Sequence, residues 1–293
     1  MHNILITGAN SFVGQNFIHN TRYKHVNDVC LKENKPAAID FSGVDVVIHV
    51  AAIVHQSKKI PEEEYYRVNR DLCLKVAKYA KKSGIKQFIF ISTVKVYGGY
   101  NPSKRVWNET SICEPDDPYG KSKYEAEKGL KRLEDSNFIV SIVRPPLIYG
   151  IGVKANMLSI IKLVENFSIL PLGNIRNKRS FSAIENLVEL IDKVIEKKAS
   201  GIFIPMDEKP LSTTELTLII AKCLNKKIFL FPLPGFLNRL GNKLLPKIFT
   251  RLYGSLEFDN SLTRKKLRYN PVITSEAGIK KMVDAYLMKK AKM

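Results

Sequence analysis

The sequence predicts an α/β fold in which a doubly wound parallel sheet is followed by a smaller C-terminal α/β lobe. Over the first two thirds of the chain, short apolar runs alternate with helical patterns, as expected for parallel strands joined by helices. The 293 residues, 45% of them hydrophobic, suffice for a large domain and a smaller partner. We expect a first domain at residues 1–150 and a substrate lobe at 151–293, with some later strands and helices returning to the first domain.

Four apolar runs have the length of buried parallel strands. They are residues 3–7, 44–50, 87–91 and 140–144. A weaker strand is predicted at residues 28–31. The connection from it to the next strand is short, which indicates that an element usually found between these two strands is shortened. Helical patterns in this domain cover residues 12–20, 62–83 and 119–135.

After residue 150, helical segments are joined by irregular stretches rich in proline and glycine. Helices are predicted at residues 154–165, 183–198 and 212–224, and Ser212 and Glu215 open the last with a capping-box pattern. We expect this lobe over the carboxyl edge of the sheet, where ligands bind in such folds. The segment 229–253 is apolar and basic. Because prolines interrupt it, we favour the core of the lobe over a surface for a membrane or partner chain.

The formal net charge of +19 raises the question of a polyanionic partner. The basic residues are scattered lysine pairs, so we expect a solvated surface and no nucleic-acid partner. Four widely spaced cysteines and five histidines without ligand spacing argue against disulfides and a metal site. With no apolar run near ~18 residues and no leader pattern, we expect a cytoplasmic protein without integral membrane contact. Peripheral association stays open.

A glycine turn joins the first strand to the first helix. Residues 7–14 are Thr-Gly-Ala-Asn-Ser-Phe-Val-Gly, with Gly8 in the tight turn and Gly14 where helix and strand approach. The helix N-terminus offers free N–H groups to a pyrophosphate. Ser11 replaces the usual middle glycine, so an ordinary strand–turn–helix is the alternative. The residues expected at the dinucleotide are Gly8, Asn10, Ser11, Phe12, Val13 and Gly14.

The residue that holds the adenosine ribose should follow the second strand. Lys32 could accept the 2′-phosphate of NADP, whereas Glu33 could hold the ribose hydroxyls of NAD. Asp40 is either near adenine or a plain loop aspartate. The sequence leaves NAD or NADP open, with NAD slightly favoured.

Tyr119 and Lys123 are four residues apart on a predicted helix and therefore share one face. A phenol with a pKa near ~10 is a poor base at neutral pH. An adjacent ammonium, aided by a positively charged nicotinamide, would stabilise the phenolate and bring this pKa toward ~7. Tyr119 could then exchange a proton with a substrate hydroxyl, while Lys123 also holds the nicotinamide ribose. Thr93, at the end of a strand, would position the same oxygen.

The glycine turn, the threonine at a strand end and the Tyr-Lys pair follow one another along the chain in the order that is typical of one enzyme family. The chain is similar to extended short-chain dehydrogenases/reductases of the nucleotide-sugar epimerase/dehydratase family, in the UDP-glucose 4-epimerase-like subgroup. The resemblance implies a Rossmann-type sheet and an enzyme that uses NAD or NADP to oxidise or reduce a nucleotide-linked sugar. It covers nearly the whole chain, through the glycine turn and residues 49–52, Asn69, 92–98, 118–123 and 144–150.

The resemblance also implies roles for single residues. Ala51 and Ala52 would line the nicotinamide side, and Pro145 would contact its end. Asn156 would meet the nucleotide diphosphate and Arg179 would bind a phosphate, although both could be plain surface residues. Family members often pair through two long helices beside the active site, which implies a homodimer.

Two residues differ from the motif of one group of family members, and this difference narrows the choice of reaction. Sugar 4,6-dehydratases carry an Asp-Glu pair directly after the threonine, where this chain has Val94 and Lys95. Valine cannot protonate a leaving hydroxyl, so dehydration is disfavoured and Lys95 becomes a candidate substrate contact. What remains is a 4-epimerase or a 4-ketoreductase. The resemblance implies a UDP-hexose or UDP-N-acetylhexosamine as the substrate and a role in surface-polysaccharide precursor synthesis. The intact Thr-Tyr-Lys group disfavours a non-catalytic NAD(P)-binding sensor or scaffold, and the dispersed lysines disfavour an RNA-binding derivative.

Overall fold

Short parallel strands between helices make up the body of the protein. The structure, a computed structural model, describes residues 2–54, 60–99, 106–154 and 156–292. The strands are β1 (Ile4–Thr7), β2 (Val26–Val29), β3 (Val46–His49), β4 (Gln87–Ile91), β5 (Val106–Trp107), β6 (Ile139–Val143), β7 (Leu147–Tyr149), β8 (Ile169–Leu170), β9 (Phe181–Ala183), β10 (Gly201–Phe203), β11 (Phe229–Leu230) and β12 (Glu257–Phe258).

The helices alternate with these strands along the chain. They are α1 (Phe12–Asn20), α2 (Glu62–Tyr65), α3 (Cys73–Lys82), α4 (Pro118–Leu133), α5 (Asn156–Asn166), α6 (Ile184–Glu196), α7 (Thr213–Cys223), α8 (Gly235–Leu244), α9 (Pro246–Tyr253), α10 (Ser261–Leu267) and α11 (Ser275–Ala291). Two 3₁₀ turns lie at Pro36–Ala38 and Val94–Tyr97, and a π-helical stretch, Tyr66–Leu72, joins α2 to α3.

The central sheet has six parallel strands in the order β2-β1-β3-β4-β6-β10. The chain passes from β2 on one side of β1 to β3 on the other side. A crevice forms at such a switch point beyond the carboxyl ends of the strands, and ligands bind there in doubly wound folds. The predicted doubly wound sheet is therefore confirmed.

Helices cover both faces of the sheet, which explains why its inner strands are apolar on both sides. On one face, Ile4 and Ile6 pack in a buried cluster with Phe17 of α1 and residues of α6. On the other face, Leu5 packs in a cluster with Val76 of α3 and residues of α4. This second face carries α4, the helix with the predicted catalytic pair.

A separate apolar cluster forms the core of the C-terminal region, with buried side chains from α5, α7 and α11. The buried carboxylate of Asp207 joins its elements by accepting hydrogen bonds from Tyr149 Oη and Asn186 Nδ2, each at 2.7 Å. The chain also returns to the central sheet, where β10 pairs with β6. The division at residue 150 stays a prediction.

The predicted second strand is displaced by two residues. Residues 28–31 were the expected strand, but β2 spans Val26–Val29, because pairing sets Val26 opposite Ile4 and Val29 opposite Thr7. As the edge of the described sheet, β2 exposes its two middle residues, so the apolar pattern did not mark it. A 3₁₀ turn then leads to β3, which fits the expected trimmed connection.

The helix predicted at residues 62–83 forms, but it contains the π-helical stretch Tyr66–Leu72. The capping box at the start of α7 is confirmed, because Ser212 Oγ accepts from Glu215 N at 3.1 Å and Glu215 Oε2 accepts from Ser212 N at 2.7 Å. Among the described residues, the structure has no helix long and apolar enough to span a bilayer.

The prediction that the segment 229–253 forms lobe core is wrong for most of its length. None of the described side chains of α8 and α9 is buried. Phe236, Leu240 and Leu244 are 70%, 50% and 66% exposed. The prolines do break the segment, as expected, but the resulting short helices pack on each other, since Gly241 lies against the ring of Phe249.

Substitution of Gly8 tests the close packing at the centre of the sheet. Gly8 has φ +79°, and an added Cβ would lie 2.8 Å from the backbone nitrogen of Ala51. Gly43 has φ +70°, and a Cβ added to it would have nothing within 4 Å. We expect Gly8→Ala to lower the free energy of unfolding by about 2–4 kcal/mol and Gly43→Ala by about 1–2 kcal/mol. Urea unfolding measures both, and equal losses would contradict the packing argument.

Candidate active site

Three backbone segments meet closely at the glycine turn. An added Cβ on Gly14 would lie 2.5 Å from the carbonyl oxygen of Gly8, and one on Gly8 would clash with Ala51. Ser11 is the N-cap of α1, and its hydroxyl accepts a hydrogen bond from Gly14 N at 3.0 Å. The serine in place of the middle glycine therefore caps the helix.

The turn fits the pyrophosphate of a dinucleotide. Asn10 lies in the turn, and Phe12 and Val13 form the first turn of α1, whose N–H groups have no partners within the helix. The positive end of the helix dipole points at this crevice, so an anion is stabilised there. At Gly8 and Gly14 the place of a Cβ is taken by neighbouring backbone, so the glycines let the turn, α1 and the loop after β3 meet closely. The binding roles of these residues stay predictions.

The candidates for the ribose site lie in an exposed turn beyond β2. Lys32 and Glu33 are both exposed, and the turn closes through hydrogen bonds from Glu33 N and Asn34 N to the carbonyl of Cys30. Asp40 accepts a hydrogen bond from Ser42 N at 2.9 Å, which lowers the pKa of its carboxyl group. These contacts leave the choice between NAD and NADP open.

Asn69, for which the sequence analysis predicted no role, holds the loop after β3 in place. Asn69, fully buried in the π-helical stretch, accepts from Ile53 N at 2.8 Å and donates to Ile53 O at 3.0 Å. This amide pairing fixes the half-buried Ala51 and Ala52 beside the crevice. π-Helical turns are frequent at functional sites because they redirect a side chain.

His49 ends β3 under this loop, and it is not a proton donor for the site. Its Nδ1 lies 2.9 Å from Thr7 Oγ1. Burial, together with the charge of Lys123, lowers the pKa of His49 to about 3, so the ring is neutral at physiological pH.

The start of α4 shows why Tyr119 sits at the crevice. Asp117 is the N-cap, its Oδ1 accepts from Gly120 N at 2.7 Å, and Pro118 takes the first helical position. Gly120 lets this turn approach the 3₁₀ turn after β4, since an added Cβ would lie 2.7 Å from the carbonyl oxygen of Lys95. Tyr119 is therefore held in the first turn of α4, beside the end of β4.

Thr93 and Tyr119 are brought together, as the sequence predicted. The Thr93 hydroxyl donates a hydrogen bond to the phenolic oxygen, and Thr93 Oγ1 accepts from Lys95 N at 3.2 Å. Val94 N donates to the carbonyl of Pro145 at 3.1 Å, so the predicted nicotinamide contact Pro145 lies beside this turn.

The expected lowering of the pKa of Tyr119 is not present in the structure. Burial raises the pKa of Tyr119 to about 12, and the hydrogen bond from Thr93 opposes this only in part. The ammonium of Lys123 is bound elsewhere, because its Nζ donates to the carbonyl of Ile91 at 2.7 Å and lies 4.4 Å from the ring centre of Phe90. Burial lowers the pKa of Lys123 to about 8.

A buried ion pair, missed by the sequence analysis, fixes α4 to the ends of β4 and β6. Arg144 contacts Glu127 through Nε–Oε1 and Nη2–Oε2 distances of 3.1 and 2.5 Å, and both side chains are 3% exposed. Ser92, next to Thr93, donates to the same carboxylate. The sequence did offer a signal, since Glu127 lies one turn after Lys123 on the same helix face.

The three predicted substrate contacts lie in different parts of the site region. Lys95 Nζ is 2.8 Å from Asp117 Oδ2, next to the start of α4. Asn156 is exposed at the first residue of α5; Ala155 before it lies outside the described residues. Arg179 Nη1 donates to the carbonyl of Gly254 at 2.8 Å, and burial with the nearby charge of Arg251 lowers its pKa. Their contacts with substrate stay predictions.

Comparison with known proteins defines the class to which this fold and site belong. Residues 4–203 match the NAD dependent epimerase/dehydratase family, so the chain belongs to this family of enzymes, which use a nicotinamide dinucleotide. The match includes the glycine turn, Thr93, Tyr119 and Lys123, and it agrees with the sequence prediction.

Individual relatives cover nearly the whole chain. A UDP-glucose 4-epimerase from Vibrio cholerae is 36% identical over 314 residues, which cover 97% of this chain and 95% of the relative. An N-acetyl-alpha-D-glucosaminyl-diphospho-ditrans,octacis-undecaprenol 4-epimerase from Escherichia coli O157:H7 is 28% identical, covering 86% and 82%. The structure of UDP-glucuronic acid 4-epimerase from Bacillus cereus in complex with NAD has a TM-score of 0.77 at 18% identity, covering 98% and 99%, and supports the fold.

Removal of one partner of the buried ion pair should be costly. Glu127→Gln leaves the Arg144 guanidinium buried with reduced charge compensation, and we expect the free energy of unfolding to fall by about 3–5 kcal/mol. The matched control is the exposed pair of Lys280 and Asp284, where Asp284→Asn should cost under about 1 kcal/mol. Urea unfolding measures both; a loss for Glu127→Gln as small as the control's would contradict the support assigned to this pair.

Proposed function

We propose that this protein is a 4-epimerase that inverts C4 of a UDP-hexose or UDP-N-acetylhexosamine for surface-polysaccharide precursor synthesis. The observation that carries the proposal is the hydrogen bond between Thr93 and Tyr119, one helical turn from the buried ammonium of Lys123, at the carboxyl edge of a dinucleotide-binding sheet. Membership of an epimerase/dehydratase family supports it.

In this proposal Tyr119 moves the proton at the sugar hydroxyl. A dinucleotide held by the glycine turn and Lys123 would supply the acceptor and the donor of hydride at C4, on opposite faces of that carbon. Tyr119 takes the proton from the O4 hydroxyl as that carbon is oxidised and gives it back on reduction. Thr93, which already donates to the phenolic oxygen, orients that oxygen and can contact the same sugar hydroxyl. The acid and the base are thus one group in two protonation states.

The positive charge of Lys123 has to supply part of the lowering of the pKa of Tyr119 that forms the phenolate. Burial, only partly opposed by the hydrogen bond from Thr93, raises the pKa of Tyr119 to about 12, far from neutrality. Positive charge near the phenol lowers this pKa, and each unit corresponds to about 1.4 kcal/mol. With its pKa lowered to about 8, Lys123 is still mostly cationic at neutral pH. In this proposal the ammonium leaves the carbonyl of Ile91, to which it donates at 2.7 Å, and moves toward the phenol.

Epimerisation fits the site better than dehydration. Elimination of water needs an acid and a base next to Thr93, but Val94 is apolar and 6% exposed. Lys95 is paired with Asp117, which also caps α4. A 4-ketoreductase would use the same Thr-Tyr-Lys group. It would consume reduced dinucleotide, whereas an epimerase restores its cofactor in every cycle.

A sugar diphosphate is the shared chemistry of the named relatives. We propose that Arg179 binds this diphosphate, with Asn156 beside it. The group beyond the diphosphate is a uridine in the primary proposal. A polyprenyl chain is the second candidate, because the exposed apolar helix pair α8–α9 ends at Gly254, whose carbonyl Arg179 binds, and the E. coli relative is named for such a substrate.

Tyr119→Phe tests the assigned base. Loss of the phenolic oxygen removes proton transfer, so we expect kcat for UDP-sugar epimerisation to fall about 10³-fold while bound dinucleotide is retained. Tyr124→Phe, on the same helix, is the matched control and should keep near-normal turnover. Product sugars are quantified by chromatography without added NADH. Full turnover by Tyr119→Phe would refute the proposal, and net NADH consumption with a 4-keto sugar would replace the epimerase with the reductase.

Lys123→Met tests the role of the buried charge. Without the cation the phenolate is harder to form, so the pKa of Tyr119 rises and the ascending limb of the kcat–pH profile moves to higher pH. We expect kcat at pH about 7.5 to fall roughly 100-fold or more. Lys121→Met, at an exposed position two residues away, should leave the profile unchanged. An unmoved ascending limb in Lys123→Met would show that this ammonium does not tune the base.

A further inference from the structure

The helix pair α8–α9, residues 235–253, forms a hairpin with an apolar surface that no described part of the chain covers. Single exposed apolar residues are ordinary on protein surfaces, but a cluster of large ones marks an interaction site. The exposed large side chains of this hairpin are Phe236 (70%), Leu237 (39%), Leu240 (50%), Leu244 (66%), Leu245 (53%) and Ile248 (49%).

The apolar residues of α8 share one face of the helix, and basic residues border it. At 3.6 residues per turn, Phe236, Leu237, Leu240 and Leu244 fall within an arc of about 100°. Arg239 and Lys243 are exposed and lie just outside this arc, about 60° and 20° from Phe236. An exposed apolar face bordered by lysine and arginine is typical of a helix that lies in a membrane interface.

Along the segment that contains the hairpin, every charged residue is basic. Residues 216–256 contain seven basic residues, Lys222, Lys226, Lys227, Arg239, Lys243, Lys247 and Arg251, and no acidic residue. Lys222 is paired with Glu276 at 3.5 Å, so the positive charge open to a partner comes mainly from the hairpin itself. A surface of this kind attracts anionic lipid head groups, and each basic residue near the membrane contributes favourably. Two copies of it facing each other in a symmetric dimer would instead bring like charges together.

Hydrogen bonds from the C-terminal lobe hold the C-terminal end of the hairpin. Arg179 Nη1 donates to the carbonyl of Gly254 at 2.8 Å, and Thr213 Oγ1 donates to the carbonyl of Leu252 at 2.6 Å. Within the hairpin, Gly241 contacts Phe249. The exposed side chains of α8 are thus presented on a hydrogen-bonded support from the C-terminal lobe.

We propose that the α8–α9 hairpin docks this enzyme on a membrane surface that contains anionic lipids. The apolar face of α8 enters the boundary between head groups and acyl chains, and the basic residues contact the head groups above it. The contact is peripheral. It does not depend on the proposed reaction, because the residues involved lie outside the catalytic group.

Vesicle sedimentation tests the proposal with the full chain. Wild-type protein should bind vesicles of about 30% phosphatidylglycerol in phosphatidylcholine, and bind vesicles of phosphatidylcholine alone much more weakly. Replacing three apolar residues should weaken binding to the anionic vesicles at least about tenfold. Replacing two basic residues should also weaken it about tenfold, with little effect on neutral vesicles. The two variants are Phe236→Ser/Leu240→Ser/Leu244→Ser and Arg239→Gln/Lys243→Gln.

A matched triple variant replaces exposed apolar residues elsewhere on the chain and should bind like wild type: Ile112→Ser/Val272→Ser/Met288→Ser. Failure of the wild type to bind anionic vesicles would overturn the proposal, as would equal loss in this control. A lower solution mass of the hairpin variant without lipid would overturn it too, since a second copy would then cover the surface. Turnover of water-soluble UDP-sugar should be unchanged in all variants, which separates failure of docking from failure of the proposed reaction.

Discussion

The buried ammonium of Lys123 is the constraint around which the site is organised. A cation that is 1% exposed is costly unless it is paired. Here the carbonyl of Ile91 and the face of the Phe90 ring supply that compensation. Both partners belong to β4, so the position of the ammonium also fixes α4 against the strand that leads to Thr93. The position of Tyr119, the proposed acid–base residue, thus follows from the need to satisfy one buried charge.

Two other polar contacts connect further elements around the site. The ion pair of Glu127 and Arg144 joins α4 to the end of β6, and Asn69 joins the loop after β3 to the neighbouring helix. Asn69 Nδ2 also lies 3.1 Å from the hydroxyl of Ser122, on the turn between Tyr119 and Lys123. The crevice is therefore bounded by segments that are tied to one another by buried hydrogen bonds, which limits how far Thr93, Tyr119 and Lys123 can move apart.

Local patterns predicted the parallel sheet, its covering helices, the glycine turn and the Thr-Tyr-Lys group, because each rests on periodicity or short spacing. Contacts between distant residues were not predictable in this way. Glu127 and Arg144 are ordinary charged residues until the fold buries them together. The pKa of Tyr119 depends on where the Lys123 ammonium points, which spacing on a helix does not determine. The segment 229–253 was misassigned because apolar composition does not distinguish a buried core from an exposed apolar surface.

The position of β2 at the sheet edge has a consequence for the protein in solution. Where a further strand would pair in a longer sheet, β2 presents unpaired backbone groups, which can recruit a strand from another molecule. This edge is only four residues long, and Asn27 and Asp28 at its centre are exposed and polar. A short, hydrophilic rim of this kind discourages edge-to-edge association, so the shortened sheet does not make the protein prone to aggregate through β2.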